Sequence, residues 1–167
     1  MPRLDKVYRL QVGQDLQFQH LEWRIEQIGK ILVGLFLIAA LCGVFGSGYL
    51  SRARAASPSA SLIVDYDRFT RREGPSDVVV EASGQPHSEL GIWFSETLVR
   101  QIKVEQITPE QVSTESSPSR TKYIFRTGID GKTRVRFHVQ PKNAGKMNCH
   151  IGVDGGEDVT FWSFVYP

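Results

Sequence analysis

Residues 31–50 run Ile-Leu-Val-Gly-Leu-Phe-Leu-Ile-Ala-Ala-Leu-Cys-Gly-Val-Phe-Gly-Ser-Gly-Tyr-Leu, twenty positions without a charge. A helix rises about 1.5 Å per residue, so such a run matches the roughly 30 Å hydrocarbon core of a bilayer. Lys30 bounds it on one side, and Arg52 and Arg54 on the other. Trp23 and Tyr49 stand near its ends, where aromatic rings favour the membrane interface. The four glycines of the run lower helix propensity in water and are tolerated in lipid. A net charge of +2 and a mean hydropathy of −0.23 resemble an average soluble chain only because this run is averaged with a polar remainder. The expectation is one uncleaved transmembrane helix over 31–50. The competing reading is a secretory signal, for which Ala53-Arg54-Ala55 has the small-x-small form of a cleavage site. Some thirty residues before the apolar run make a leader too long for that reading.

Charge near the ends orients such a helix. Residues 1–30 carry Arg3, Lys6, Arg9, Arg24 and Lys30, whereas Arg52 and Arg54 stand alone on the far side until Arg68. The bias predicts a cytoplasmic N-terminus and a periplasmic C-terminal domain, anchored in a bacterial inner membrane. Within the run Ala39, Gly43 and Ser47 recur every fourth position, a small-residue face on which a second helix packs closely. Small residues are also common in such helices for no special reason. Before the run, Phe18, Leu21, Ile25 and Ile28 form a helical stripe, with Asp15 as N-cap and Glu26–Lys30 as a one-turn ion pair. The predicted organisation is a cytoplasmic amphipathic leader helix over 1–30, the transmembrane helix over 31–50, a linker over 51–61, and a β domain over 62–167.

That last segment breaks into short runs bounded by turn residues: 62–69, 77–82, 91–95, 99–107, 122–127, 133–140, 146–153 and 159–166. Ile129-Asp-Gly-Lys132 reads as a hairpin turn, and Asp154-Gly-Gly-Glu157 as a second. Residues 108–120, with two prolines and many hydroxyl side chains, read as a loop. Successive short strands without helical periods predict an antiparallel immunoglobulin-like β-sandwich. Alternation places Val135, Phe137 and Val139 on one face, with Arg134, Arg136 and His138 on the other. Met147, Cys149, Ile151 and Val153 likewise share a face opposite Asn148 and His150. In the run 159–166 both faces are apolar. Either this strand lies between two layers, or Trp162, Phe164 and Tyr166 meet a partner or a membrane surface.

Several of these motifs occur together elsewhere. They are Phe18-Gln-His-Leu-Glu-Trp-Arg-Ile-Glu-Gln-Ile-Gly29, Gly43-Val-Phe-Gly-Ser-Gly48, Val64-x-Tyr66-x-Arg68-Phe69-x-Arg71 and Phe164-Val-Tyr-Pro167. With the apolar run, they resemble an uncharacterised group of bacterial single-pass membrane proteins with an exported immunoglobulin-like β domain. Members of that group are often encoded near YetF-like multi-spanning membrane proteins. The resemblance implies an accessory role and carries over no catalytic residue.

Motifs for chemistry are sparse. No nucleophile elbow, phosphate-binding glycine loop or His-Glu zinc motif occurs. His87-Ser88-Glu89 reads as a polar loop, and Asp154, Glu157 and Asp158 lack the spacing of a calcium loop. Arg68, Arg71 and Arg72 among Asp65, Asp67 and Glu73 read as a solvated strand end, with lipid headgroups as the alternative contact. Cys42 lies within the apolar run and Cys149 in the β domain, so they do not pair. Cys149 is expected to be a buried free thiol. Met147, Cys149 and His150 are the residue types of a copper site, but alternation sends His150 to the opposite face.

Residues 56–167 hold thirteen basic and fourteen acidic side chains, which gives no nucleic-acid footprint. The expected function is non-enzymatic and needs no cofactor. The chain is read as an accessory or assembly subunit of a larger membrane protein, its partners being the bilayer and a multi-spanning protein or a second copy. The alternative is a membrane-tethered ligand- or metal-binding sensory domain.

Overall fold

The computed structural model describes residues 16–41 and 51–167; the side chains of residues 16–21 and of Ala39 are outside that description. The chain divides into two compact units, Met1–Ile38 and Ala39–Pro167. Helix α1 (Leu16–Leu41) carries the 18–28 stripe into the apolar run without a break. Glu26 and Lys30 pair at 2.8 Å, one turn apart, as their spacing predicts. Trp23, Ile25, Ile28 and the large apolar side chains from 31 to 38 are exposed. No helix among the described residues is long and apolar enough to cross a membrane. Asp15, Cys42, Gly43, Ser47 and Tyr49, like the rest of the run beyond residue 41, lie outside the described residues.

The second unit is mainly β, two sheets packed as a sandwich. Its strands are β1 (Arg52–Ala56), β2 (Leu62–Asp67), β3 (Phe69–Arg71), β4 (Ser76–Ser83), β5 (Glu89–Ser95), β6 (Ile102–Thr108), β7 (Ser113–Ser116), β8 (Arg120–Arg126), β9 (Lys132–Pro141), β10 (Gly145–Val153) and β11 (Asp158–Tyr166). One sheet has the order β1-β2-β4-β9-β6, the other β3-β11-β10-β5-β8-β7. Alternation assigns the faces as expected: Val135, Phe137 and Val139 are buried, while Arg134 and Arg136 are exposed. Between the sheets, the ring of Phe137 lies 4.6 Å from Phe94, 5.4 Å from Tyr123 and 6.1 Å from Phe125, tilted or edge to face. Such pairs add about 0.5–1.5 kcal/mol each beyond the area they bury. Where sheet edges are open, β3 and β7 are only three and four residues long, which limits their use as pairing templates.

Five expectations are corrected. The 51–61 linker holds a strand instead. In β1, Arg52 and Arg54 stand opposite Asp67 and Asp65, and these cross-strand charge pairs support an edge that Ala and Ser alone do not favour. The sheets are not antiparallel throughout, because the 62–69 run splits at Arg68 and β3 joins β11 in parallel. The run 99–107 begins as helix α2 (Glu96–Gln101), nucleated by the Ser95 side chain accepting from the Leu98 amide. The 108–120 loop contains β7, paired with β8. Finally, the turn at 129–132 is no hairpin: β8 and β9 lie in different sheets, so this turn carries the chain from one to the other. The 154–157 turn does join paired neighbours, β10 and β11.

Candidate functional site

Strand β11 settles which of its apolar faces looks inward. Val159, Phe161, Ser163 and Val165 are buried, whereas Trp162 and Phe164 remain 44% and 43% exposed, with Tyr166 half-buried beside them. Phe69 of β3 stands opposite Phe164, and its ring meets Trp162 edge to face at 6.5 Å. The outer face at this sheet edge is therefore an aromatic patch in solvent, among the described residues. Arg68, Arg71 and Arg72 are exposed on the adjoining segment, with Glu73 3.9 Å from Arg72.

Fixing that edge is Ser51, which is fully buried. Its hydroxyl donates to the Phe69 carbonyl at 3.0 Å and accepts from the Phe69 amide at 3.2 Å. Its carbonyl accepts from the Arg68 amide at 2.7 Å. Ser163 adds a donor to the Asp67 and Arg68 carbonyls, at 2.9 and 3.2 Å. Sequence reasoning missed Ser51 because a serine after an apolar run signals a linker as readily as a clamp.

Across the molecule, the outer face of the first sheet forms an open groove of about 730 Å3. Strand register builds it from opposed charges. Arg54 grips Asp65 through two hydrogen bonds of 2.6 and 2.9 Å, Arg134 meets Glu81 at 3.2 Å, and His138 meets Asp77 at 2.7 Å. Burial pushes the Asp67 carboxyl up against the pull of Arg52. The pocket that reaches between the sheets, among Phe94, Leu98, Met147, Cys149 and Phe161, holds only about 20 Å3, so the core there is closely packed.

Of the copper-type residues, Met147 and Cys149 are buried in the core. His150 lies on the outer face, 2.5 Å from Asp158 and edge-on to Trp93 at 4.9 Å. The three do not converge, and among the described residues no group of three or more His, Cys, Asp or Glu is placed to hold a metal. Burial pushes the Cys149 thiol up to about 12. Since only the thiolate reacts, native Cys149 is expected to resist iodoacetamide at pH 8 and to alkylate at least about tenfold faster in denaturant, read by mass spectrometry.

The remaining candidates are structural. Ser88 donates to the Gln85 carbonyl at 2.7 Å, and its amide donates to Thr127 at 3.0 Å; neither directs it to His87 or Glu89. Glu157 closes a different loop. The hydroxyls of Ser57, Ser59 and Ser61 and the Ser59 amide hold its carboxyl down at about 2, Ser59 Oγ lying 2.6 Å and Ser61 Oγ 3.1 Å away. A depressed carboxylate contributes stability that is complete above its ordinary value near 4.5 and is lost as pH falls through about 2. The Glu157→Gln variant should therefore melt below the natural protein near pH 6, and the gap should close as pH approaches about 2.

Ala39 sits on α1, but its side chain, like Gly43 and Ser47, lies outside the described residues. Compared with known proteins, the chain matches no family model and no curated protein.

Proposed function

We propose that the chain is a single-pass inner-membrane protein acting as an accessory or assembly subunit of a larger membrane protein. In this reading the 31–50 run anchors it, residues 1–30 are cytoplasmic, and the immunoglobulin-like sandwich is periplasmic. The observation that carries the reading is the aromatic patch of exposed Trp162 and Phe164 beside half-buried Phe69, apolar surface that a solvated domain gains by covering. The charge-free run, the Ala39-Gly43-Ser47 spacing and the closely packed core agree with a role in contacts rather than catalysis. Purification in mild detergents followed by mass spectrometry tests it. A co-eluting multi-spanning protein or a stable homo-oligomer is expected; a lone monomer in several detergents would overturn the subunit reading. Reporter fusions at both termini test the orientation, and an exported N-terminus would refute it.

One observation favours the second reading, a tethered periplasmic ligand-binding or sensory domain. The groove of the first sheet presents Arg52, Arg54, Arg134 and Arg136 around Asp65 and Asp67, a polar surface open to a charged solute. A saturable rise in melting temperature with a small anionic or zwitterionic ligand, abolished by Arg136→Gln, would select that reading.

A further inference from the structure

The clamp on Ser51 fixes where the chain enters the sandwich. Ser51 is one peptide bond from Leu50, the last residue of the apolar run, and it is held to Arg68 and Phe69. The end of the sandwich marked by that clamp is the one where β1 begins, β2 and β11 finish, and the chain turns from β9 into β10. Exposed at this end are Arg52, Arg68, Arg71, Arg72, Lys142 and Lys146, against the exposed acids Glu73 and Asp77. The aromatic patch of Phe69, Trp162 and Phe164 runs along the outer face toward this end, from Trp162 midway along β11 to Phe164 near its finish. At the opposite end the balance reverses, with Glu89, Asp130, Asp154, Glu157 and Asp158 against Arg126 and Lys132. Polarised charge and clustered aromatics thus coincide with the point where the apolar run joins.

We propose that this end rests on the interfacial layer of an anionic phospholipid bilayer. Phe69, Trp162 and Phe164 sit at the boundary between headgroups and acyl chains, the depth that aromatic rings favour. Arg68, Arg71 and Arg72 engage lipid phosphates, and the acidic end faces away from the negative surface. Lipid fits better than a protein partner because the basic and aromatic groups surround the one place a membrane anchor would bring against the bilayer. This inference rests on the membrane-anchored reading above and names what covers the sandwich there.

The test uses the full chain, reconstituted in vesicles of phosphatidylethanolamine and phosphatidylglycerol carrying lipids brominated near the headgroup end of the acyl chains. One protein keeps Trp162 as its only tryptophan (W23F, W93F), and another keeps Trp93 (W23F, W162F). Trp93 shares the outer face but pairs with Gly152, whereas Trp162 pairs with Asn148; four residues of β10 set them about 13 Å apart along the strand. Bromolipid quenching of Trp162 should exceed that of Trp93 at least about threefold. Should W93F perturb folding, the comparison runs in the W23F background, where adding W162F must bring bromolipid quenching down to the level of Trp93 alone. Replacing Arg68, Arg71 and Arg72 together with glutamine should lower Trp162 quenching about twofold while leaving the protein on the vesicles; unchanged quenching would overturn the phosphate contacts. Equal quenching of Trp162 and Trp93 on vesicles that retain the protein overturns the inference and leaves the anchored reading standing. Protection of Trp162 from both bromolipid and aqueous iodide overturns it in favour of a second protein copy covering the patch. Failure of the chain to float with vesicles overturns both.

Discussion

Replacing Phe137 with alanine is expected to destabilise the sandwich by about 3–5 kcal/mol, the range for deleting a large aromatic side chain from a packed core. Phe137 is fully buried on β9, the strand between β4 and β6. Its ring is shared among Phe94 and Tyr123 of β5 and β8 and Phe125 of β8, so it joins one sheet to the other. Those neighbours are anchored on different strands of a ladder and cannot all collapse into the space left behind. The core around Phe94 begins with little free volume, and a phenyl-sized void would keep most of its cost. For a sandwich of this size the melting temperature should fall by roughly 10–20 °C, followed by circular dichroism in detergent. Phe137→Leu, which keeps most of the volume, should lose less than about half as much. Equal losses for the two variants would show that the ring cluster is not what joins the sheets.

The second large effect is expected at Gly131. Its φ of +69° lies in the left-handed region, which costs a non-glycine residue roughly 1–2 kcal/mol. A side chain there would also meet backbone, since a Cβ would fall within van der Waals distance of the Gly84 carbonyl oxygen. That contact cannot yield easily. The Gly84 amide donates to the Gly131 carbonyl at 2.7 Å, locking the 84–86 turn against the turn that crosses between the sheets. Gly131→Ala should therefore cost about 2–4 kcal/mol, measured by denaturant unfolding. Gly155→Ala is the control. Its φ is +70°, but nothing lies within 4 Å of the added Cβ, so only the conformational part, about 1–2 kcal/mol, should appear. If the two substitutions cost the same, the contact with Gly84 contributes nothing and the crossing turn is held by other means.

Gly131 also shows how a local signal can be read in part and placed wrongly. A tight turn does form there and Gly131 has the positive φ. But the Gly131 amide closes on the Gly128 carbonyl, so Ile129 and Asp130 are the central residues and Asp130 keeps a negative φ, unlike the type I′ turn the dipeptide predicts. The flanking runs, however, alternate in the same way whether they pair with each other or with strands elsewhere. The decision between hairpin and crossover came from partners distant in sequence, β5 for β8 and β4 for β9. Strand β1 was hidden for a similar reason. Arg-Ala-Arg-Ala-Ala carries little strand propensity, and its support comes from Asp65 and Asp67, which occupy matching positions only once β2 lies beside it.

The candidate site was legible in part. Trp162, Phe164 and Tyr166 were recognisable as one face of a strand, and the three arginines as a cluster. Their exposure was not, since a strand apolar on both faces reads the same whether it is covered on one side or on two. Because no layer among the described residues packs on the outer face of the second sheet, the patch stays in solvent.

What the sequence by itself determined are the features that need only neighbours along the chain: the charge-free run, the continuity of α1 into it, the alternation of β9 and β10, and the burial of Cys149 away from His150. These follow from periodicity, which fixes how side chains divide between faces before any partner is chosen. The tertiary structure alone decided which face is covered, which strands share a sheet, and that Ser51 fastens the chain beside Phe69. Those outcomes depend on hydrogen bonds and packing between residues far apart in sequence. A serine that looks like the start of a linker becomes a clamp only when the Phe69 backbone is brought to its hydroxyl.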